Sequence, residues 1–117
     1  MPYSNPSING IDFTSIAIFD VVTESGTSRT LSLSDGGRYI RCTSPTTVTI
    51  TIPTQASVAW TDDVEILFEQ AGGGKITFTS SATINSRASS VDTAAQYSVV
   101  ALKRVAEDVW TLFGDLA

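Results

Sequence analysis

Between Thr46 and Pro53 the chain alternates strictly, with Val48, Ile50 and Ile52 on one side and Thr47, Thr49 and Thr51 on the other. A period of two is what a half-buried strand imposes, and a helix has no use for it. Pro53 ends the run because it has no N–H to give a ladder. Val64 to Gln70 repeats the pattern, with Val64, Ile66 and Phe68 set against Glu65 and Glu69. Lys75 to Thr79 repeats it again, with Ile76 and Phe78 on one face. The glycines Gly72, Gly73 and Gly74 between the last two runs predict a β-hairpin.

Weaker strands are expected at Arg29 to Leu33, at Arg38 to Thr43 after the turn Ser34-Asp35-Gly36-Gly37, and at Ala82 to Asn85. Tyr97 to Val105 and Val109 to Phe113, joined at Ala106-Glu107-Asp108, predict a second, closing hairpin. Turn signals recur every 8 to 12 residues or so, the rhythm of a sandwich or small barrel. The expected fold is therefore all-β: an antiparallel β-sandwich or small barrel of about 8–9 short strands. Residues 27–117 form the domain and residues 1–26 an N-terminal arm with a first strand.

Composition supports this reading. Serine and threonine supply 31 of 117 residues, and valine, isoleucine and threonine together 36, so β-formers prevail over the residues that build surface helices. A chain of this length buries enough surface for a core without staples. With no histidine and one cysteine, it can make neither a disulfide framework nor a His-based triad or metal triad. No cofactor is expected. Seven Lys and Arg against twelve Asp and Glu give a net charge of −5, and the scattered cations argue against nucleic acid as partner. No apolar run approaches the ~20 residues of a membrane span, and Met-Pro-Tyr-Ser-Asn-Pro lacks the pattern of a signal peptide. A soluble, cytoplasmically made product is expected.

The chemically tempting motifs have plainer accounts. Gly72-Gly73-Gly74-Lys75 lacks the earlier glycine of a phosphate loop, the Ser or Thr after the lysine, and a following helix. Asp62, Asp63, Glu65 and Glu69 match no calcium loop and fit solvated turn and strand-face charges better than an acid–base pair. Cys42 alternates with Ile40 and is expected to point inward as a small apolar group. Trp60, Tyr97 and Trp110 are the candidate exposed aromatics for sugar stacking, although packing in a core or interface is the commoner fate of such a tryptophan.

The first two dozen residues stand apart. Met1 to Gly10 is Pro, Asn, Ser and Gly punctuation, expected as an extended arm. Ile11 to Val22 becomes apolar on both faces and needs cover from its own domain or from another subunit. Tyr3, Ile8, Ile11, Phe13, Ile16, Ile18 and Phe19 are the candidate capsid or subunit contacts.

The ordered series Gly37-Arg38-Tyr39-Ile40-Arg41, Thr47 to Pro53, Glu69-Gln70-Ala71-Gly72-Gly73-Gly74-Lys75-Ile76-Thr77-Phe78, Ala82-Thr83-Ile84-Asn85-Ser86 and Asp108-Val109-Trp110-Thr111-Leu112-Phe113-Gly114 resembles a β-module of tailed-bacteriophage virion proteins. That module occurs in capsid decoration or head-fibre proteins and in tail fibres and tailspikes, and the resemblance covers Thr27 to Ala117. It implies a non-enzymatic structural protein of the virion, homo-oligomeric and often trimeric, with the major capsid protein or another virion protein as partner. It brings no catalytic residues. A short chain beginning with its own Met fits a decoration protein better than a tail-fibre tip that binds a host receptor or glycan.

Overall fold

The computed structural model describes residues 7–8, 11–12 and 18–117, with side chains from residue 18 onward. Strands β1 (Ser7–Ile8) and β2 (Ile11–Asp12) form a short antiparallel pair. Nine further strands make two sheets: β3 (Asp20–Glu24), β4 (Ser28–Thr30), β5 (Arg38–Cys42), β6 (Val48–Ile52), β7 (Glu65–Gln70), β8 (Ile76–Ser80), β9 (Thr83–Ser86), β10 (Val99–Ala106) and β11 (Val109–Gly114). The larger sheet has the order β3-β5-β7-β10-β11-β9 and the smaller β4-β6-β8.

The fold is all-β, but its pairing is mixed rather than antiparallel. From β3 to β8 the chain steps from one sheet to the other at every connection, so each strand lies parallel to the one two places earlier. Val21 thus pairs with Tyr39 and Tyr39 with Leu67 in the large sheet. In the small sheet Thr49 pairs with both Ser28 and Thr77. The β3–β4, β5–β6 and β7–β8 pairs are three stacked coils, the winding of a parallel solenoid. Among the described strands, antiparallel pairs are made by β10, which joins β7 to β11, and by β1 with β2, and single antiparallel bridges add Thr77–Asp92 and Thr93–Leu116; the expected closing hairpin is present as β10–β11. The expected β7–β8 hairpin is absent, since β7 and β8 belong to different sheets.

The reason lies at the corner. Residues 71–75 turn the chain from the large sheet to the small one, directly against the equivalent corner of the coil before. Ala71 and Gly72 both donate to the Cys42 carbonyl, at 2.8 and 3.0 Å, and Gly74 donates to Ser44 O at 3.0 Å. A Cβ on Gly74 would strike the Thr46 carbonyl, and one on Gly72 the carbonyls of Thr43 and Ser44. Two of the glycines are therefore there to let one backbone lie on another. The amide of the buried Gln70 supports this corner from inside, with Nε2 3.4 Å from the carbonyls of Gly72 and Gly73. Its Oε1 accepts from Thr93, whose hydroxyl in turn accepts from the Ile76 N–H.

The alternating apolar residues of both sheets meet in a single core. Ile40, Cys42, Ile66, Phe68, Val100, Leu102, Trp110 and Leu112 come from the large sheet, and Val48, Ile50, Ile52, Ile76 and Phe78 from the small one. Phe68 and Phe78 meet edge to face across the layers at 5.0 Å. Trp60, from the loop between β6 and β7, stands edge-on to Trp110 at 5.2 Å and donates its indole N–H to Pro53 O. Toward the first coil the interior turns polar: Arg29 bridges Glu24 at 2.9 Å and the buried Asp35 at 2.6 Å, and Asp35 also accepts from Ser32 N–H. Each charge has an ion-pair partner, with Arg29 Nε left buried without a hydrogen bond, and this network lies at the first-coil end of the apolar core.

Gly74→Ala is expected to lower stability by about 1–3 kcal/mol, the range for a side chain forced into occupied space. Gly73→Ala, whose Cβ would meet nothing closer than 3.8 Å, is expected to change it little. Urea unfolding followed by tryptophan fluorescence measures both.

Candidate assembly surfaces

The two sheets turn different outer faces to solvent. Across the small sheet the outward registers are Ser28–Thr49–Thr77 and Thr30–Thr51–Thr79, two ladders of hydroxyl side chains suited to water. Across the large sheet one outward register reads Val21–Tyr39–Leu67–Ala101–Phe113, with an apolar or aromatic residue on each of five adjacent strands. Val21 is 65% exposed and Phe113 48%.

Charged residues of both signs flank that row. On one side lie Thr23, Arg41, Glu69 and Val99; the Asp115 backbone continues this register by donating to Val99 O, while its carboxylate accepts from the Ser98 hydroxyl at 2.7 Å. Glu69 is held within the subunit, accepting from the Tyr39 hydroxyl at 2.9 Å and from Arg41 Nε at 3.2 Å. Burial and this bond to a carboxylate raise the Tyr39 pKa. On the other side Glu65, Lys103, Thr111 and Asn85 share a register. An apolar centre with a polar rim is the make-up of a protein interface.

The row ends in an open groove of about 590 Å³ between β11 and the turn after β9, lined by Ser86, Arg87, Ala88, Leu112, Phe113 and Leu116 among others. Ala88 and Ser89 both have left-handed backbone, with φ of 54° and 57°. Neither is a glycine, so the packing around this wall must hold it against a cost of order 1–3 kcal/mol for each residue.

Among the residues singled out in the sequence, Ile18 is 76% exposed and Phe19 half-buried just ahead of β3. Ile8 and Ile11 are register partners in the β1–β2 pair. Their side chains, and all of Tyr3, Phe13 and Ile16, lie outside the described residues. Of the three candidate exposed aromatics, Trp60 and Trp110 are buried core residues and only Tyr97 is exposed. Tyr97 has φ 70° at the turn into β10. The two tryptophans therefore form no sugar-stacking platform. What sequence reasoning missed was the apolar row, because its members come from five separate strands and only their register aligns them.

The acidic groups find structural places. Asp62 pairs with Arg104 at 2.9 Å from an exposed turn, and Glu65 and Glu69 stand on the sheet face. Among the described residues no group of three or more His, Cys, Asp or Glu side chains could hold a metal ion, and no helix is long and apolar enough to cross a membrane. Glu24 has its pKa lowered first by the Gly26 N–H and then by Arg29, and Asp92 first by the Thr77 hydroxyl and then by Lys75. Burial pushes the Cys42 thiol up to about 11; the Glu24 charge adds to the rise and Arg29 opposes it. No family model, curated protein or solved structure matches the chain.

The pH dependence of stability follows from these shifts. Glu24 and Asp92 are depressed in the fold, so their contribution is complete above the unfolded carboxylate values near 4 and is lost as pH falls through the folded ones. Glu24→Gln is expected to flatten the acid limb of a urea-midpoint profile. Cys42 is raised, so its contribution is complete below the unfolded thiol value near 8.5 and is lost as pH climbs toward 11. Ellman's reagent at pH 8 is expected to label Cys42 only when urea is added.

Proposed function

We propose that this chain is a non-enzymatic virion protein of a tailed bacteriophage, a homo-oligomeric capsid decoration protein of the head-fibre or cement kind. Its N-terminal segment attaches it to the major capsid protein or another virion protein. The observation that supports assembly as its business is the apolar row across the large sheet, beside a small sheet whose outer face is hydroxylated. A row of that kind needs cover, and a subunit among copies of itself obtains it. The resemblance of residues 27–117 to the phage β-module supports the virion setting and favours a trimer.

A second reading is a tail-fibre or tailspike module that binds a host receptor or glycan. It now rests on Tyr97 and the groove beside Phe113, because Trp60 and Trp110 are committed to the core.

Copy number and location in purified particles separate the two. A decoration protein is expected in hundreds of copies on the head, whereas a handful at the tail would favour the second reading. Deletion of Met1 to Gly10 is expected to abolish particle association while leaving the far-ultraviolet circular dichroism of the β-domain intact. Particles still coated by the truncated protein would remove the attachment role.

A further inference from the structure

We propose that the outer face of the large sheet is the surface on which two copies of this chain pack, related by a two-fold axis parallel to the strands and passing between β7 and β10. This rests on the homo-oligomer reading and names its surface; the partner is a second copy, and the symmetry differs from the trimer that the resemblance favours.

The six-stranded order places β7 and β10 at the middle of the sheet. A two-fold there, lying between the two layers, sets β7 over β10, β5 over β11 and β3 over β9 of the other copy, and leaves every register row opposite itself. In the central row Leu67 then faces Ala101 and Tyr39 faces Phe113. Val21, which protrudes from the edge strand, arrives at the groove beside Phe113 and Arg87, where the row is hollow. Protrusion at one end of the row and hollow at the other suit an isologous contact, in which each feature is used twice.

Charge follows the same operation. Glu65 faces Lys103 in one flanking row, so the two-fold generates two cross-subunit pairs of opposite sign; in the other row Arg41 and Asp115 are already held within the subunit, by Glu69 and by the Ser98 hydroxyl. Glu69 meets Val99, but Tyr39 and Arg41 of its own subunit already satisfy its carboxylate. The other in-plane axis, along the row, would set Glu65 against Glu69 and is disfavoured by repulsion. Each copy thus carries the complement of its own face, which a capsid protein has no reason to match.

Size bounds the strength. Six strands about 4.8 Å apart and some five residues long give a footprint of roughly 24 by 17 Å, about 400 Å² per copy and about 800 Å² in total, in the range of weak, transient contacts below about 1,200 Å². The pair is therefore expected to dissociate on dilution.

The test is sedimentation equilibrium of the full chain over a range of concentrations. The expected species are 12.4 kDa and twice that mass. Val21→Glu and Phe113→Glu, both at exposed positions, are each expected to weaken association by about 100-fold or more, as for central contacts of an interface. Tryptophan fluorescence of the Trp60–Trp110 pair checks that each variant folds. Glu65→Lys is expected to weaken the pair about tenfold, and adding Lys103→Glu to restore it to within about threefold of the parent. A monomer at all concentrations, a trimer, or a dimer indifferent to Val21→Glu and Phe113→Glu would each overturn the proposal. The particle copy-number measurement stands apart from this outcome, so failure of the two-fold and failure of the virion reading are distinguishable.

Discussion

The fold depends on the close approach of two corners. Where residues 71–75 cross from the large sheet to the small one, the backbone lies on the previous coil at Thr43 to Thr46, and the carbonyls of Cys42 and Ser44 accept its N–H groups. Without that contact the third coil has no place to stack. The inward residues Phe68, Ile76 and Phe78 would then lose their register partners Ile40, Val48 and Ile50. Hydrophobic burial supplies most of the free energy of folding, but the corner decides which strands become neighbours, and hence which apolar residues meet.

That choice of neighbours also creates the surface. Parallel stacking brings Val21, Tyr39 and Leu67 into one register although they are far apart in the chain, and the antiparallel β10 and β11 extend the row with Ala101 and Phe113. The threonines on the opposite layer form ladders by the same rule. One winding therefore yields a hydrophilic face and an adhesive one. A protein with few charges and a contiguous apolar row is suited to being packed against others, because little charge must be desolvated when it assembles.

The local pattern of the sequence was a good guide to strands and a poor one to their partners. Val48, Ile50 and Ile52 point inward as their alternation requires, and Cys42 is buried beside Ile40 in phase. The Val109 to Gly114 strand and its hairpin with β10 follow from short-range turn chemistry, and both are present. The glycine triplet misled because a tight turn and a close backbone approach call for the same residue. No internal repeat betrays the coils, since the step from Tyr39 to Leu67 carries the Trp60 loop and the step from Val21 to Tyr39 does not. Trp110 read as an outward candidate because its neighbours Val109, Thr111 and Phe113 are also apolar or β-forming; the Trp60 ring, delivered by a loop with no periodicity, settles its side.

The parallel winding is tested most directly by interstrand proton contacts in the nuclear magnetic resonance spectrum of the full chain. Stacked coils require backbone contacts between Thr49 and Thr77 and between Ile50 and Phe78, together with contacts of the Gly74 amide to Ser44. A β7–β8 hairpin would instead give ladder contacts between Phe68 and Thr77 and none between Thr49 and Thr77, and that result would contradict the account.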